Sequence, residues 1–510
     1  MQERFTEFTK FARSSVTSTT FAHTTVVVFA AMLGASLLPA QEPIDRAMLT
    51  KLREESRSRS KVLESYRTLT DVIGPRLTGS TGFKQSVDWT RDRLKEWGMN
   101  VSVESWPFGR GWTLEKLTLE MTQPRYFPLD GYPEAWTPST KGVVGSSPIY
   151  LGDKTADQIR ALGAKLKGAI VLAQPPQEGQ QLITADRPQP GDTEARVRIG
   201  APPMLRSEGL TPIREMMPIL QQMGVGLVLR PNQGQHGTIF VLGNRNTKDD
   251  AVPSVVMAAE HYNMLARLVQ HGAPVKLQAQ VKARYENADT LAYNVIAEIP
   301  GTDPTLKNEV VMLGAHLDSW HSATGGTDNA DAVAASIEAM RMLKAVGAQP
   351  RRTIRLALWG GEEEGLLGSR AYVDRHLKGD ANAAARDALS VYLNDDPGMG
   401  PTYGFYSEEN AAAKAIFDAW LGALGDLGVK RNPIDKIGNT DHLSFTAVGI
   451  PGFTTLKDYR DYDVRTHHTN VDFYERVSEA DLQQSSVVFA FFAWQAAQRD
   501  GRFPRPAVTQ

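Results

Sequence analysis

Acidic and histidine side chains follow predicted strands in the second half of the chain, where an α/β sheet collects its ligands. Residues 310–313 and 354–359 are short apolar runs typical of buried strands, and residues 332–345 between them have helical spacing. Strand, helix and strand in this order predict a parallel sheet. The side chains at or just beyond the predicted strand ends are His316, Asp318, Asp328, Glu362 and Glu363. This clustering indicates a metal site.

Histidine, aspartate and glutamate must supply the ligands of such a site, because the chain contains no cysteine. This ligand set suits a hydrolytic zinc ion or a related divalent cation. Two further candidates come later: Asp396 follows the predicted strand at 389–393, and His468 lies in a His-His-Thr sequence. We therefore predict that the ligands of two metal ions are His316, Asp328, Glu363, Asp396 and His468. Asp318, two residues after His316, is placed to hold the free ring nitrogen of that histidine.

Each of these residues has a simpler explanation when it is considered singly. An isolated histidine or aspartate at a strand end is more often a cap or a surface residue, by about five to one. An acidic triplet such as residues 362–364 is usually the solvated first turn of a helix. The metal hypothesis therefore depends on the conjunction of acidic and histidine residues at successive strand ends, most of them close to glycine.

Six short motifs contain these residues. They are AHLDS at 315–319, GTDNA at 326–330, GEEEGLLGS at 361–369, NDDPG at 394–398, TDHLSF at 440–445 and HT at 468–469. In this order they resemble the M28 family of zinc-dependent peptidases, and the turn GPRLTGS at 74–80 resembles the N-terminal segment of that family. The resemblance covers about residues 44–106 and 294–498. The stretch between these parts resembles the protease-associated domain found in several members.

The resemblance implies a role for each matching residue. One zinc ion would be bound by His316, Asp328 and Asp396. The other would be bound by Asp328, Glu363 and His468, so that Asp328 bridges the two ions. Glu362 would be the general base that takes a proton from the attacking water.

Several of these positions have a neighbour of the same type. In the triplet 362–364, the position of the following Gly-Leu pair favours the first glutamate as base and the second as ligand. In the pair 395–396, the spacing to the next glycine favours Asp396. In the pair 467–468, the first histidine stands where many family members have an aromatic residue, so either histidine remains a candidate ligand. Residues 441–442 are interpreted as supports or pocket residues.

The resemblance implies an exopeptidase that hydrolyses the terminal peptide bond of short peptides, and we favour an aminopeptidase. A carboxypeptidase or dipeptidase of the same family is the nearest alternative, because both polarities use the same ligands. A glutaminyl cyclase shares the fold, but the second metal and the inserted domain favour a hydrolase. A receptor-like binding protein without a working site is disfavoured, because all five ligands and the base are present.

The composition bounds the class of protein and its location. The chain has 510 residues, which suggests two or three domains, and its 56 basic and 58 acidic residues argue against nucleic acid or an anionic membrane as a partner. Residues 1–40 combine a basic start, an apolar run and a small final residue, which predicts a signal peptide and export to the periplasm or the medium. The apolar run is shorter than the ~20 residues that a membrane span needs. We therefore expect no membrane span in the mature chain.

The predicted fold is α/β, with a mixed, largely parallel sheet, flanking helices and an inserted domain. The predicted domains are 41–122 for the N-terminal part of the peptidase domain, 123–283 for the insert, 284–500 for the main part with the metal site, and 501–510 for a tail. The insert is predicted to be β-rich, because short apolar runs, among them residues 238–242, alternate with proline- and glycine-rich turns. We expect it to shape access to the site or to hold a partner, and a homodimer is left open.

Overall fold

The computed structural model describes residues 42–177, 212–243, 251–459 and 461–505, so the predicted signal peptide at 1–40 lies outside the described residues. The α-helices are α1 (Arg46–Arg59), α2 (Val62–Arg67), α3 (Thr81–Glu96), α4 (Ala156–Ala161), α5 (Ile213–Gln222), α6 (Ala259–Gln270), α7 (Asp331–Ala345), α8 (Leu367–His376), α9 (Ala383–Ala388), α10 (Ala411–Leu421), α11 (His442–Thr446) and α12 (Glu479–Gln498). The strands are β1 (Asn100–Pro107), β2 (Gly111–Gln123), β3 (Phe127–Pro128), β4 (Gly131–Pro133), β5 (Val144–Ser146), β6 (Ile149–Tyr150), β7 (Ile170–Leu172), β8 (Leu227–Pro231), β9 (Ser254–Met257), β10 (Lys276–Glu286), β11 (Leu291–Ile299), β12 (Val310–His316), β13 (Thr353–Trp359), β14 (Leu389–Asn394), β15 (Met399–Phe405) and β16 (Gly452–Asp458).

The central sheet has seven strands in the order β1-β11-β13-β12-β14-β16-β15. Its inner strands β13, β12, β14 and β16 are parallel. At the two sides, β11 pairs with β13, β1 pairs with β11 and β15 pairs with β16, each in antiparallel fashion. This confirms the predicted α/β fold with a mixed sheet. Because parallel strands end at the same edge, the residues that follow β12, β13 and β14 are brought together there.

Helices cover both faces of the central sheet. Alternate residues of β12 face opposite sides, as in any pleated strand. Val311 and Leu313 join the apolar cluster of α7 and α12, whereas Val310 and Met312 join the cluster of α8 and α11. The helix α12 is capped by Ser478, whose Oγ accepts a hydrogen bond from the N–H of Asp481, and it is buried along most of its length. Within the described ranges, no helix combines the length and apolar composition that a membrane span requires.

The residues between β1 and β11 form two further sheets. One is antiparallel with the order β3-β2-β10-β5, and the other has the order β4-β9-β8-β7-β6 with β6 to β9 parallel. Side chains of α6 pack on one side of the second sheet, and side chains of α4 and α5 pack on the other. The prediction of a β-rich segment is therefore incomplete, because amphipathic helices cover the strands. The domain boundaries at 122 and 283 remain a proposal.

The apolar run at residues 238–242 predicts a strand. In the structure these residues do not form a strand of the second sheet. Ile239 and Val241 are buried against Val256 and Ala258, but within the described part of the chain residues 238–242 form no ladder with a neighbouring strand. They make instead an isolated antiparallel bridge between Phe240 and a residue late in the chain, Thr469. Alternate residues of this apolar run are buried as in a strand, but its backbone partner is a loop far away in sequence.

Candidate metal centre

The five predicted ligands come together at the carboxyl edge of the central sheet. His316 is the last residue of β12, Glu363 lies in the turn after β13, and Asp396 follows β14. Asp328 lies in the turn before α7, and His468 lies in the loop after β16. Residues far apart in sequence thus converge because their strands are neighbours in the sheet.

Asp328 lies between the two histidines. Its Oδ1 is 3.2 Å from Nε2 of His316, and its Oδ2 is 3.2 Å from Nε2 of His468. Each histidine meets a second carboxylate: Oδ1 of Asp396 is 3.7 Å from His316 Nε2, and Oε2 of Glu363 is 2.8 Å from His468 Nε2. The cluster therefore consists of two groups that share Asp328, which is the arrangement of a bridging carboxylate.

The donor set and its spacing fit divalent cations. With metal–ligand bonds of about 2.0–2.1 Å, the ligand atoms of a tetrahedral zinc ion lie about 3.3 Å apart. Ligand atoms of His316, Asp328 and Asp396 all lie within 4.8 Å of one another. The buried Oε1 of Glu363 has no hydrogen-bond partner among the described residues. Imidazole nitrogens and carboxylate oxygens with unused lone pairs are the atoms that such a cation requires.

The electrostatics of the cluster also favour a cation. Burial opposes protonation of His316, but the carboxylates of Glu362 and Asp396 raise its pKa well above the ordinary value. Burial likewise raises the pKa of Glu363 well above its ordinary value, and the charge of Asp328 adds to the shift. Both shifts arise from negative charges crowded in a buried space, and a cation between them would relieve the repulsion.

Gly325 and Asp472 hold the turn that carries Asp328. Gly325 has φ +59°, and a Cβ atom there would lie 2.4 Å from Cβ of Ser319, so the turn requires glycine. Asp472 accepts hydrogen bonds from the N–H of Thr327 at 2.7 Å and of Asp328 at 3.2 Å. Asp472 was not predicted, because a single aspartate after the His-Thr motif carries no signal of its own.

Arg76 anchors the loop between the first two predicted ligands. It lies in the early turn at 74–80 and is fully buried. Its guanidinium donates to the carbonyls of Leu317 at 2.9 Å, Thr324 at 2.7 Å and Gly325 at 3.0 Å. Burial lowers its pKa to about 10. The early turn, noted only for its resemblance to the family, thus supports the site from behind.

Asp318 contacts the site through its carboxylate and its backbone. The carboxylate accepts hydrogen bonds from the hydroxyl of Thr78 at 3.0 Å and from the N–H groups of Glu362 at 3.3 Å and Glu363 at 3.2 Å. Nδ1 of His316 lies 3.0 Å from the backbone carbonyl of Asp318 and 3.7 Å from its carboxylate. The carbonyl is therefore the nearer partner of the histidine, and the carboxylate chiefly fixes the glutamate turn.

The two neighbouring aspartates after β14 have different surroundings. Asp395 is buried beside Lys457, whose Nζ lies 3.0 Å from its Oδ1, and it also accepts a hydrogen bond from the hydroxyl of Thr455 at 2.7 Å. Asp396 instead faces His316. The geometry favours Asp396 as the ligand, in agreement with the spacing argument.

Glu362 and Glu363, which are neighbours in the turn after β13, also have different surroundings. Glu363 is the member that contacts His468. Burial raises the pKa of Glu362 well above its ordinary value, and the charge of His316 partly offsets the effect while that of Asp396 adds to it. The charges of the cluster thus act on Glu362, but among the described residues it forms no ion pair with His316 or His468.

The two adjacent histidines both lie beside Asp328. Ligand atoms of Asp328, His467 and His468 lie within 4.8 Å of one another. His468 also contacts Glu363, whereas the ring of His467 stacks on Tyr462 with centroids 4.9 Å apart. The contacts favour His468 as the ligand.

The predicted supports at 441–442 are fully buried at the start of α11. Burial raises the pKa of Asp441 to about 7. Nε2 of His442 lies 3.4 Å from Oε1 of Glu408. Neither residue belongs to the groups that share Asp328, which is consistent with a supporting role.

Comparison with known proteins relates the sequence and the fold of this chain to a family. Residues 294–493 match the sequence profile of Peptidase family M28. Carboxypeptidase Q of Bos taurus is 23% identical over 454 residues, which cover 88% of this chain and 88% of that protein. The crystal structure of a Peptidase M28 precursor from Shewanella amazonensis SB2B has a TM-score of 0.65 at 23% sequence identity and covers 90% of this chain and 98% of that chain. The structure of BSAP, a zinc aminopeptidase from Bacillus subtilis, has a TM-score of 0.55 at 19% sequence identity. It covers 86% of this chain and 95% of that chain.

The matched stretch contains all five predicted ligands and the predicted base. The matches therefore confirm the resemblance to the M28 family of zinc-dependent peptidases that the motifs and their order suggested. The chain is thus similar to Peptidase family M28 in sequence over residues 294–493, and its fold resembles that of a solved M28 peptidase precursor.

Proposed function

We propose that this chain is an exported exopeptidase that uses two zinc ions to remove the amino-terminal residue of short peptides. The observation that carries the proposal is the position of Asp328 between His316 and His468, with a further carboxylate beside each histidine. Two groups of ligands that share one carboxylate are suited to a pair of divalent cations.

The ligands divide between two positions. His316, Asp328 and Asp396 would hold one ion, and Asp328, Glu363 and His468 would hold the other. When bound, such a pair of ions lowers the pKa of a water molecule and polarises the scissile carbonyl.

Glu362 is proposed to move the proton. It accepts a proton from the attacking water as the C–O bond forms, and it delivers a proton to the leaving amine as the C–N bond breaks. Its backbone N–H is held by Asp318, directly beside Glu363. Asp318 thereby positions the base and a ligand in one turn.

The amino-terminal polarity is supported by the fold, which resembles that of a solved zinc aminopeptidase from Bacillus subtilis. The charges of Asp328, Glu363 and Asp396 do not select an end of the peptide, because bound zinc ions would neutralise them. The end that is bound therefore depends on residues around the metal centre.

A carboxypeptidase or dipeptidase is the second candidate. The observation in its favour is that a protein named carboxypeptidase Q matches 88% of this chain. The proposed water activation and proton transfer would be the same, and the two candidates differ in which end of the peptide the pocket binds.

Export rests on residues 1–40, whose basic start, apolar run and small final residue match a signal peptide. The absence of cysteine suits a bacterial periplasm or medium better than a disulfide-built protein. Amino-terminal sequencing of the protein recovered from its native host tests this part, and a chain that begins at Met1 would contradict it.

Matched peptides test the polarity. The zinc-loaded protein is given one set of short peptides with a free amino terminus and an otherwise identical N-acetylated set, each with and without a chelator. Chelator-sensitive cleavage of the free set alone is the expected result. Release of the carboxyl-terminal residue from the acetylated set would favour the second candidate, and no chelator-sensitive cleavage of either set would contradict both.

A further inference from the structure

A segment of the middle region is docked on the loop that carries His468. This docked segment, residues 237–242, forms the isolated antiparallel bridge between Phe240 and Thr469. The N–H of Val241 donates to the carbonyl of His468 at 3.3 Å, and the N–H of Asn470 donates to the carbonyl of Ile239 at 3.1 Å. The segment thus contacts a predicted ligand and the two residues that follow it.

Two asparagine side chains fasten the docked segment. Oδ1 of Asn470 accepts a hydrogen bond from the N–H of Ile239 at 2.6 Å, and its Nδ2 donates to the carbonyl of Gly237 at 3.2 Å. Oδ1 of Asn232 accepts from the N–H of Phe240 at 3.1 Å. Because the backbone is held from both sides, the direction of each side chain in the segment is fixed.

The alternation of the docked segment exposes Phe240 on the side of the metal centre. Ile239 and Val241 are buried in an apolar cluster, whereas Phe240 is 36% exposed. The ring of Phe240 lies 5.7 Å from the ring of His468. An exposed phenylalanine next to a predicted ligand is an apolar surface open to a substrate.

A second aromatic residue lies beside the same histidine. The ring of Trp320 is 6.1 Å from that of His468, and the side chain is 7% exposed. Trp320 follows Asp318 closely in sequence, so it belongs to the loop that leads away from β12. Its buried Nε1 has no hydrogen-bond partner among the described residues. Two aromatic side chains from distant parts of the chain therefore flank one ligand.

We propose that Phe240 and Trp320 form the subsite that receives the side chain of the amino-terminal substrate residue, and that Phe240 makes this subsite selective for apolar side chains. The inference rests on the proposed exopeptidase function and adds the chemical class of the residue that is removed. Apolar side chains pack on aromatic faces with a gain proportional to the area they bury, whereas a methyl group gains little.

Dipeptides of the form X-Gly, with X alanine, leucine or phenylalanine, test the subsite. We expect Phe240→Ala to lower kcat/KM for Leu-Gly and Phe-Gly by about 10- to 100-fold and to change Ala-Gly by about threefold or less. Phe240→Leu should restore much of the preference, because it returns apolar area. Zinc content should stay at the wild-type value, since Phe240 provides no ligand atom.

The matched control is Tyr126→Ala, which removes an aromatic residue of the same middle region that is 66% exposed and directly precedes β3. It should leave the Leu-Gly to Ala-Gly ratio unchanged. If the wild-type protein cleaves these dipeptides and Phe240→Ala leaves the ratio unchanged, or lowers all three substrates equally, the subsite assignment is wrong while the proposed function stands. If the wild-type protein cleaves no dipeptide in a zinc-dependent manner, the proposed function fails and the assignment fails with it.

Discussion

Lys457 pairs with Asp395 beneath the metal centre, with Nζ 3.0 Å from Oδ1. This ion pair gives Asp395 a different partner from the adjacent Asp396, which has the same side chain and differs only in its position in the sequence. Successive side chains at the end of an extended strand point in opposite directions. Holding Asp395 towards Lys457 therefore turns Asp396 towards His316.

This difference predicts unequal effects of two neighbouring substitutions. Asp396→Asn removes a charged ligand and should lower zinc affinity by about 100-fold or more, beyond the roughly 10- to 100-fold that supporting partners contribute. Asp395→Asn should keep the metal and cost about 1–3 kcal/mol in the free energy of unfolding, because Lys457 loses a charged partner. Zinc content after dialysis, measured together with urea unfolding, separates the two. Loss of zinc from Asp395→Asn but not from Asp396→Asn would reverse the assignment.

Lys457 also stabilises the fold as the cation shared by two buried carboxylates. Its Nζ lies 3.1 Å from Asp331 Oδ2 as well as 3.0 Å from Asp395, and all three side chains are buried. Replacing Lys457 by Met leaves two buried carboxylates without their cation, so we expect a loss of about 3–5 kcal/mol in the free energy of unfolding. The control Lys378→Met breaks an exposed pair with Asp374 and should cost less than about 1 kcal/mol. Equal losses in urea unfolding would show that Lys457 has no such role.

We predict that His321 makes the free energy of unfolding decrease in acid. Its Nε2 donates to the carbonyl of Pro133 at 2.7 Å, and burial lowers its pKa from 6.5 to about 4. Between pH 6.5 and pH 4, His321 binds a proton more readily in the unfolded chain than in the folded chain. Its contribution to the free energy of unfolding is therefore complete above pH 6.5 and is lost as the pH falls towards 4. The loss amounts to about 3 kcal/mol.

The variant His321→Gln keeps an N–H donor without a titratable ring. It should reduce the acid-dependent loss of stability between pH 6.5 and 4, and the difference is read from urea unfolding of the two proteins at several pH values. Identical pH profiles for the variant and the wild-type protein would remove His321 from the account.

We predict that Asp472 affects the affinity for zinc although it provides no ligand atom. Its carboxylate accepts from the N–H groups of Thr327 and Asp328. In Asp472→Asn one of the two oxygens becomes an NH₂ group, so the turn of Asp328 loses an acceptor. We expect zinc affinity to fall by about 10- to 100-fold, as is typical for partners of ligands. Competition with a chromophoric chelator measures it, and unchanged affinity would mean that the turn holds its shape without Asp472.

The parts of the fold that were predicted depend on signals local to a few residues. The run at 310–313 lies within β12 (Val310–His316), the run at 354–359 lies within β13 (Thr353–Trp359), and the spacing at 332–345 lies within α7 (Asp331–Ala345). Apolar residues at periods of 2 and 3.6 mark such elements directly. Because ligands follow these strands, most of the candidate site could be predicted with them.

The parts that were not predicted lack a local signal. The strand β15 (Met399–Phe405) contains glycine and proline, which weaken any strand pattern and are tolerated because it is an edge strand. Lys457 looks like a surface residue in sequence and is buried only because two carboxylates meet it. The docked segment (residues 237–242) has the alternation of a strand, but its partner Thr469 lies in a distant part of the chain, and no periodicity identifies a distant partner.

The most direct test of the central claim compares Glu362→Gln with Glu364→Gln in the zinc-loaded protein, with dipeptide hydrolysis and zinc content measured on the same samples. Glu362→Gln should retain the metal and lower kcat by about 10²- to 10⁴-fold, because the base that moves the proton is lost. Glu364→Gln, at the neighbouring position, should retain both metal and most of the activity. Full activity of Glu362→Gln with its zinc in place would contradict the proposed mechanism.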